Sequence, residues 1–354
     1  MDDESAPARP VEVAGVSGAA WQRAVAEAVV EVASRAPSIH NTQPWAWEFA
    51  SGGLDLRADR TRQLSVADPD GHSLRISCGA ALTLTDFALR AAGWTAAIQR
   101  LPDPSDPDLL ARFSDLERAE PTQLDLDRVA AARRRQSDRR PFTPDPVPPD
   151  QIEVLRQAAA LPRAFAHFPI RADEQLNLAV AVSWADRVER DDEAYLAEMT
   201  RWLRDDEVHS DGVPLGAIPK VEPAHPRHTD VPVRDFEIGV SGRALIAQDV
   251  DERPLIAVLL SESDSPLEHL EAGESMMRLM IQAQLLGVAS CPLSQAVDLL
   301  AFRSRLQTLM GWQGYPQMML RLGYPVPDAA STARTPRRPV SSVLRDVSAG
   351  QARA

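Results

Sequence analysis

From residue 18 to 34, Trp21, Val25, Ala28, Val29 and Val32 recur at helical spacing, which predicts a helix with one apolar face, stopped at Pro37. Residues 45–49 and 54–58 alternate around Ser51, Gly52 and Gly53 and predict a hairpin. The run SCGAALTLTDFALRAA, 77–92, returns to the helical period; its small residues permit close backbone packing, and Gly93 ends it. Proline-rich punctuation at 101–108 and 141–150 brackets a helix over 125–139, and 172–205 reads as two amphipathic helices. A segment rich in Pro, His and charge, 206–235, predicts a long surface loop or lid. Beyond it come a buried strand at 254–260, an apolar helix at 271–287, a helix at 297–310 before Gly311, and a core strand at 317–324. The tail 346–354 is expected to be disordered. The order of elements is that of an α+β protein.

Composition narrows the chemistry. With 354 residues, 44% of them hydrophobic and 25% charged, the chain can bury a sizeable core. A net charge of -13 argues against nucleic acid as a partner, so an anionic ligand must meet a local basic cluster. Cys78 and Cys291 are the only cysteines, too few for a disulfide framework, and they point to a reducing, cytoplasmic setting. The start is acidic where a signal peptide is basic, and no apolar run is long enough for a membrane span. There is no glycine-rich dinucleotide fingerprint, phosphate-binding loop or GxSxG elbow. His209, Asp211, His225 and His228 share one loop, but their spacing matches no rigid ligand pair, so no metal site is expected.

Two stretches stand out. Arg133, Arg134, Arg135, Arg139 and Arg140 crowd into RRRQSDRRPF; they are either a solvated face or, with Arg135 and Arg139 one helical turn apart and Ser137 beside them, a fork for a phosphate monoester. Arg334, Arg337 and Arg338 form a second basic group after the last core strand. The segment APSIHNTQPW, 36–45, packs polar groups beside apolar elements. It is either an elaborate turn anchored by Trp45 or a rim that reads a planar heterocycle, with His40 as a proton donor there or as a solvent-facing residue.

Side by side, these stretches resemble the nitroreductase superfamily, and more narrowly its long, internally duplicated actinobacterial branch of Acg-type proteins. The matches are APSIHNTQPW at 36–45, RQSDRRPF at 135–142 and, in their company, GVASCPLSQAV at 287–297, PQMMLRLGYP at 316–325 and RRPVSSVL at 337–344. The resemblance implies a mostly antiparallel central sheet flanked by helices. It also implies two pseudo-symmetric halves, 1–120 and 121–345, like a fused dimer with one intact FMN site and a degenerate second one. Arg135, Ser137 and Arg139, with Arg337 or Arg338, would take the FMN phosphate. Pro37, Ser38, Ile39 and Asn41 would line the ribityl chain and ring from the other half. Leu293, Ser294 and Gln295 would fall at the flavin N5 edge, where the family more often has acidic residues or glycine. The implied activity is reduction of nitroaromatic or quinone-like small molecules by NAD(P)H through the flavin. The alternative is a flavin-sequestering or sensing protein covered by the lid, and the assembly is a monomer with one FMN or a further homodimer.

Overall fold

The computed structural model describes residues 21–205, 208–221, 227–229, 244–246, 250–326 and 334–348. The first half runs α1 (Arg23–Ala33), β1 (Trp45–Ala50), β2 (Gly53–Ala58), α2 (His72–Ala91), β3 (Trp94–Arg100) and β4 (Leu109–Arg118). After α3 (Gln123–Arg134) come α4 (Pro149–Ala159), β5 (Ala164–His167), α5 (Ala172–Asp191) and α6 (Glu193–Arg201). The second half then continues with β6 (Leu255–Ser261), α7 (Pro266–Leu285), β7 (Ala289–Leu293), α8 (Leu300–Met310), β8 (Tyr315–Gly323) and β9 (Leu344–Asp346). No helix among the described residues is long and apolar enough to cross a membrane.

Two sheets carry the fold, ordered β9-β1-β2-β4-β3 and β7-β8-β6-β5. Apart from the added β9, both follow one plan: two strands, a long helix, then two strands, every neighbouring pair antiparallel. The plan extends to the helices, since α1 precedes β1 and packs on α2 as α4 precedes β5 and packs on α7. The exception, β9, lies parallel to β1, so the end of the chain crosses back to the first sheet.

The long helices α2 and α7 meet through glycine. A Cβ on Gly79 would stand 2.0 Å from the Leu270 carbonyl oxygen, and one on Gly273 would stand 2.0 Å from that of Ile76. The contacts are reciprocal: one sequence offset carries Gly79 onto Gly273, Ile76 onto Leu270 and the left-handed Gly93 onto Gly287. Only a residue without a side chain lets the two backbones approach so closely. Around this crossing, Trp45, Trp47, Leu82, Met277 and Leu320 join one apolar core that draws on both sheets.

Several sequence expectations shift. The first helix begins at Arg23 among the described residues, and α2 begins at His72 rather than 77. The helix placed over 125–139 ends at Arg134, with Arg135 already extended (φ -56°, ψ 138°). Strands β3, β4, β5 and β7 and helix α4 went unread. Pro149 is the first residue of α4, a position where the missing N–H costs nothing. The tail boundary moves outward, because Asp346 closes β9; residues 349–354 lie outside the described ones. Of the expected lid, 208–221 is described and most of the remainder is not.

Candidate functional site

A cavity of about 720 Å3, including its open mouth, lies beside the α2–α7 crossing and is walled by both halves. The first half contributes Pro37, Ser38, Ile39 and His40 with Ser73, Ile76 and Ser77 of α2; the second contributes Ser137, Arg139, Met276 and Leu293–Gln295. Eight of the residues singled out in the sequence thus meet at one cavity: Pro37, Ser38, Ile39, Ser137, Arg139, Leu293, Ser294 and Gln295.

The 36–45 segment is a compact turn built around its own polar groups. The Ser38 hydroxyl accepts the Gln43 amide at 2.9 Å, and Ile39 N donates to the Ser77 hydroxyl at 3.3 Å. His40, Asn41 and Gln43 all sit in the left-handed region, at φ 46°, 54° and 50°. Such conformations persist where surrounding contacts over-determine them. His40 is buried at the cavity wall, so the solvent-facing alternative falls.

The arginine segment converges for a reason other than helical spacing. Beyond Arg134 the chain is extended, Ser137 bridges in parallel to Ser290, and Asp138 N donates to the Ser290 carbonyl at 2.9 Å. Extended backbone sends alternate side chains to opposite sides. Ser137 and Arg139 accordingly face the cavity, while Arg134, Gln136, Asp138 and Arg140 line a separate polar recess. Fully buried Arg321 fixes this segment: it donates to the Arg140 carbonyl at 3.0 Å and to Glu252 at 2.7 Å, and lies over the Phe142 ring at 3.8 Å. No periodicity or motif marks this pin, since an arginine inside an apolar strand has no pattern of its own.

Arg135 lies beside Arg337. Both donate to the Arg35 carbonyl, at 3.1 and 3.3 Å, and Arg337 also donates to the Asn41 side-chain oxygen at 3.1 Å. Nε and Nη1 of Arg135 and Nε of Arg337 are buried without a hydrogen-bond partner. Burial, aided by Arg334, pushes Arg135 down to about 10. Burial, then Arg135, Arg35 and Arg334, pushes Arg337 down to about 9. Both remain cationic at neutral pH, a costly arrangement for a folded chain unless an anion joins them. Arg338 is a correction. Its guanidinium donates to the Gln43 and Ser342 carbonyls and faces Asp59 at 3.6 Å, so it braces the turn and does not join the cluster. Asn41 likewise lines no part of the cavity; its side-chain oxygen accepts from Arg337.

Arg135 and Arg337 do not themselves line the cavity; among the residues that do, both amide atoms of buried Gln295 and the hydroxyl of Ser73 are buried without a hydrogen-bond partner. Arg139 and the orphaned Gln295 amide at the cavity fit a ligand with a phosphate and a polar heterocycle, and FMN has both. In the histidine-rich loop, the Asp211 carboxylate is held by Arg62 and Arg204, and His225 lies outside the described residues. A trio not foreseen, His72, Asp264 and His269, lies beneath the helix crossing. Its imidazoles bond to Gln317 and Asp264 at 2.7 and 2.8 Å, and Arg303 stands 3.1 Å from Asp264, which makes it a hydrogen-bonded knot with its own cation.

The offset relating α2 to α7 also locates the cavity's counterpart. It carries Ser77 onto Glu271 and Ser294 back onto Arg100. Here Arg100 grips Glu274 by two bonds of 2.6 and 2.8 Å, and Arg163 meets Glu271 at 3.3 Å. Ion pairs fill the space that uncharged groups leave open on the other side.

A family model described as "Nitroreductase family" matches residues 132–324. A Mycobacterium tuberculosis protein provisionally named an NAD(P)H nitroreductase is 35% identical over 318 residues, 89% of this chain and 90% of that protein. Another from the same organism, provisionally named NAD(P)H nitroreductase acg, is 29% identical over 320 residues, 90% of this chain and 95% of its own. Among solved structures, the chain is similar to a nitroreductase with bound FMN from Bacteroides fragilis (TM-score 0.37, 14% identity, 59% of this chain and 93% of that one). It is also similar to a mutant of an FMN and NADPH-dependent nitroreductase from a Sphingopyxis strain (TM-score 0.39, 16% identity, 61% and 96%).

Proposed function

The chain belongs to the nitroreductase family, and on that premise we propose that it binds one FMN in this cavity and uses NAD(P)H to reduce small nitroaromatic or quinone-like acceptors. The observation that carries the reading is a cavity walled by both halves that holds Ser137, Arg139 and the orphaned Gln295 amide, with Arg135 buried two residues from Ser137, Arg337 beside it, and the Nε atoms of both arginines without a hydrogen-bond partner. Arg135 and Arg337 would hold the phosphate, with Ser137 and Arg139 completing the grip. Pro37, Ser38 and Ile39 would flank the ribityl chain and ring, and Leu293, Ser294 and Gln295 the ring's polar edge, where the Gln295 amide finds the partners it lacks. FMN, when bound, supplies the electron chemistry; the side chains around it bind, orient and exclude water. The two halves would derive from a fused dimer, with the counterpart site closed by the Arg100–Glu274 and Arg163–Glu271 pairs.

Docking of 208–218 on the 36–45 turn favours a second reading, a flavin-sequestering or sensing role. Anaerobic stopped-flow mixing of the FMN-loaded protein with NADH or NADPH separates the two. Bleaching of the flavin band within seconds supports the reductase, whereas bleaching by dithionite alone supports sequestration. Protein that stays colourless after incubation with excess FMN overturns both.

A further inference from the structure

The side-chain amide of Asn41 faces two ways. Its Oδ1 accepts from Nη1 of Arg337 at 3.1 Å, while its Nδ2 donates to the Gly212 carbonyl at 2.9 Å and the Pro336 carbonyl at 3.1 Å. Flipping the amide would set N–H against N–H at Arg337 and oxygen against two carbonyls, so the network admits one orientation. Gly212 N returns a bond to the Asn41 carbonyl at 3.3 Å, and Gln43 Nε2 donates to the Ser210 carbonyl at 2.9 Å.

The segment that reaches Asn41 is firmly placed. Asp211 takes hydrogen bonds from Arg204 and Arg62, and Arg62 also donates to the Thr42 carbonyl at 2.6 Å. Trp202 has both guanidiniums 5.6 Å from its ring. Val213, Leu215 and Ile218 pack with Leu64 and Met199, and cavity-lining Ile39 leans on that cluster. Gly212 sits at φ +76°, where a Cβ would meet the Trp202 carbonyl at 2.5 Å. Yet none of residues 208–218 lines the cavity.

Resting on the flavin reading above, we propose that Asn41 is a positioning residue that couples anion binding at Arg337 to docking of the 208–218 segment. Both Nη atoms of Arg337 already donate, to the Thr335, Pro336, Arg35 and Ala36 carbonyls and the Thr335 hydroxyl as well as to Asn41, and Nε alone has no partner; an anion taken at Nε restrains the guanidinium further, the guanidinium orients the Asn41 amide, and the amide holds Gly212. The coupling runs equally in reverse, because linkage between two binding events is reciprocal. The insertion after α6 thereby reports whether the phosphate subsite is filled.

The test compares FMN, riboflavin and inorganic phosphate on the full chain. Asp211→Ala loosens the segment without touching the cavity, and Asn41→Gly removes the amide while keeping a residue that tolerates positive φ. Each is expected to weaken FMN about tenfold, within the usual range of allosteric coupling, and riboflavin by less than about twofold. In wild type, saturating inorganic phosphate should slow amide hydrogen exchange across 208–218, and Asn41→Gly should abolish that response. Equal losses for FMN and riboflavin, or exchange across 208–218 that ignores phosphate, would overturn the coupling. A wild-type chain that binds no flavin would sink the flavin reading instead, while phosphate-dependent exchange would still decide the coupling.

Discussion

The helices α2 and α7 share a glycine crossing, a left-handed glycine at the end and flanking strands in one order, yet the spaces beside them have opposite chemistry. Beside α2 stand Ser73, Ile76 and Ser77, short or apolar groups that leave room. Beside α7 stand Glu271 and Glu274, tied to Arg163 and Arg100. The difference teaches how a repeated framework divides labour. Ion pairs, one within the second half and one between the halves, fill one side, while on the other side two buried arginines have no ion-pair partner among the described residues.

The strongest way to break this contrast is to remove the unpaired cations. Arg135→Ala combined with Arg337→Ala should weaken FMN by about a thousandfold, since each charge-assisted hydrogen bond contributes about 1.5–3 kcal/mol. The flavin-free double variant should melt no lower than wild type, because two buried like charges are gone. Absorbance at the flavin band after gel filtration checks the first outcome and calorimetry the second; stoichiometric FMN retained by the variant contradicts the assignment.

Next in size is the crossing, where the halves should respond alike. Gly79→Ala and Gly273→Ala each drive a Cβ into a carbonyl oxygen at 2.0 Å, and each should cost about 3 kcal/mol, at the upper end for overpacked cores. Denaturant melts that move for one and not the other would refute the reciprocal contact. At the closed end, Glu274→Ala leaves Arg100 without its partner and should cost roughly 2 kcal/mol while leaving FMN affinity unchanged. A loss of FMN there would mean that the ion pair belongs to the binding site.

A last effect, spread over a pH window, concerns how α2 begins. Asp68 accepts the amides of Ser73 and Leu74 at 2.9 and 2.8 Å, and burial raises its carboxyl to about 7. The folded chain then holds a proton that the unfolded chain releases near pH 4, so this group's contribution falls as pH climbs from about 4 to 7. The slope is at most about 1.4 kcal/mol per pH unit. Asp68→Asn should flatten it in melts taken across that window; an unchanged slope would show that Asp68 stays ionised.

Much of the frame was legible in the residues because it depends on local periodicity. The hairpin β1–β2, the apolar helices α2 and α7, and strands β6 and β8 all follow from apolar spacing and glycine stops. Strands β3 and β4 were not, because the proline-rich run between them masked a connection and many of their residues are half-exposed. The arginine motif was found on the wrong geometry: helical spacing suggested the fork, whereas an extended segment presents Ser137 and Arg139 together. Arg337 and Arg338 were indistinguishable in the chain, since only the path of the backbone turns one toward Arg135 and the other toward Asp59.

The order of residues by itself determined which segments are helical or extended and which polar groups were unusual enough to matter, since both depend on near neighbours. Tertiary structure alone decided which side of the helix crossing is filled by ion pairs and which keeps a cavity. That outcome depends on contacts such as Arg100 with Glu274 and Asn41 with Gly212, whose partners are 174 and 171 positions apart. No local pattern encodes such meetings, because each joins groups far apart in the chain.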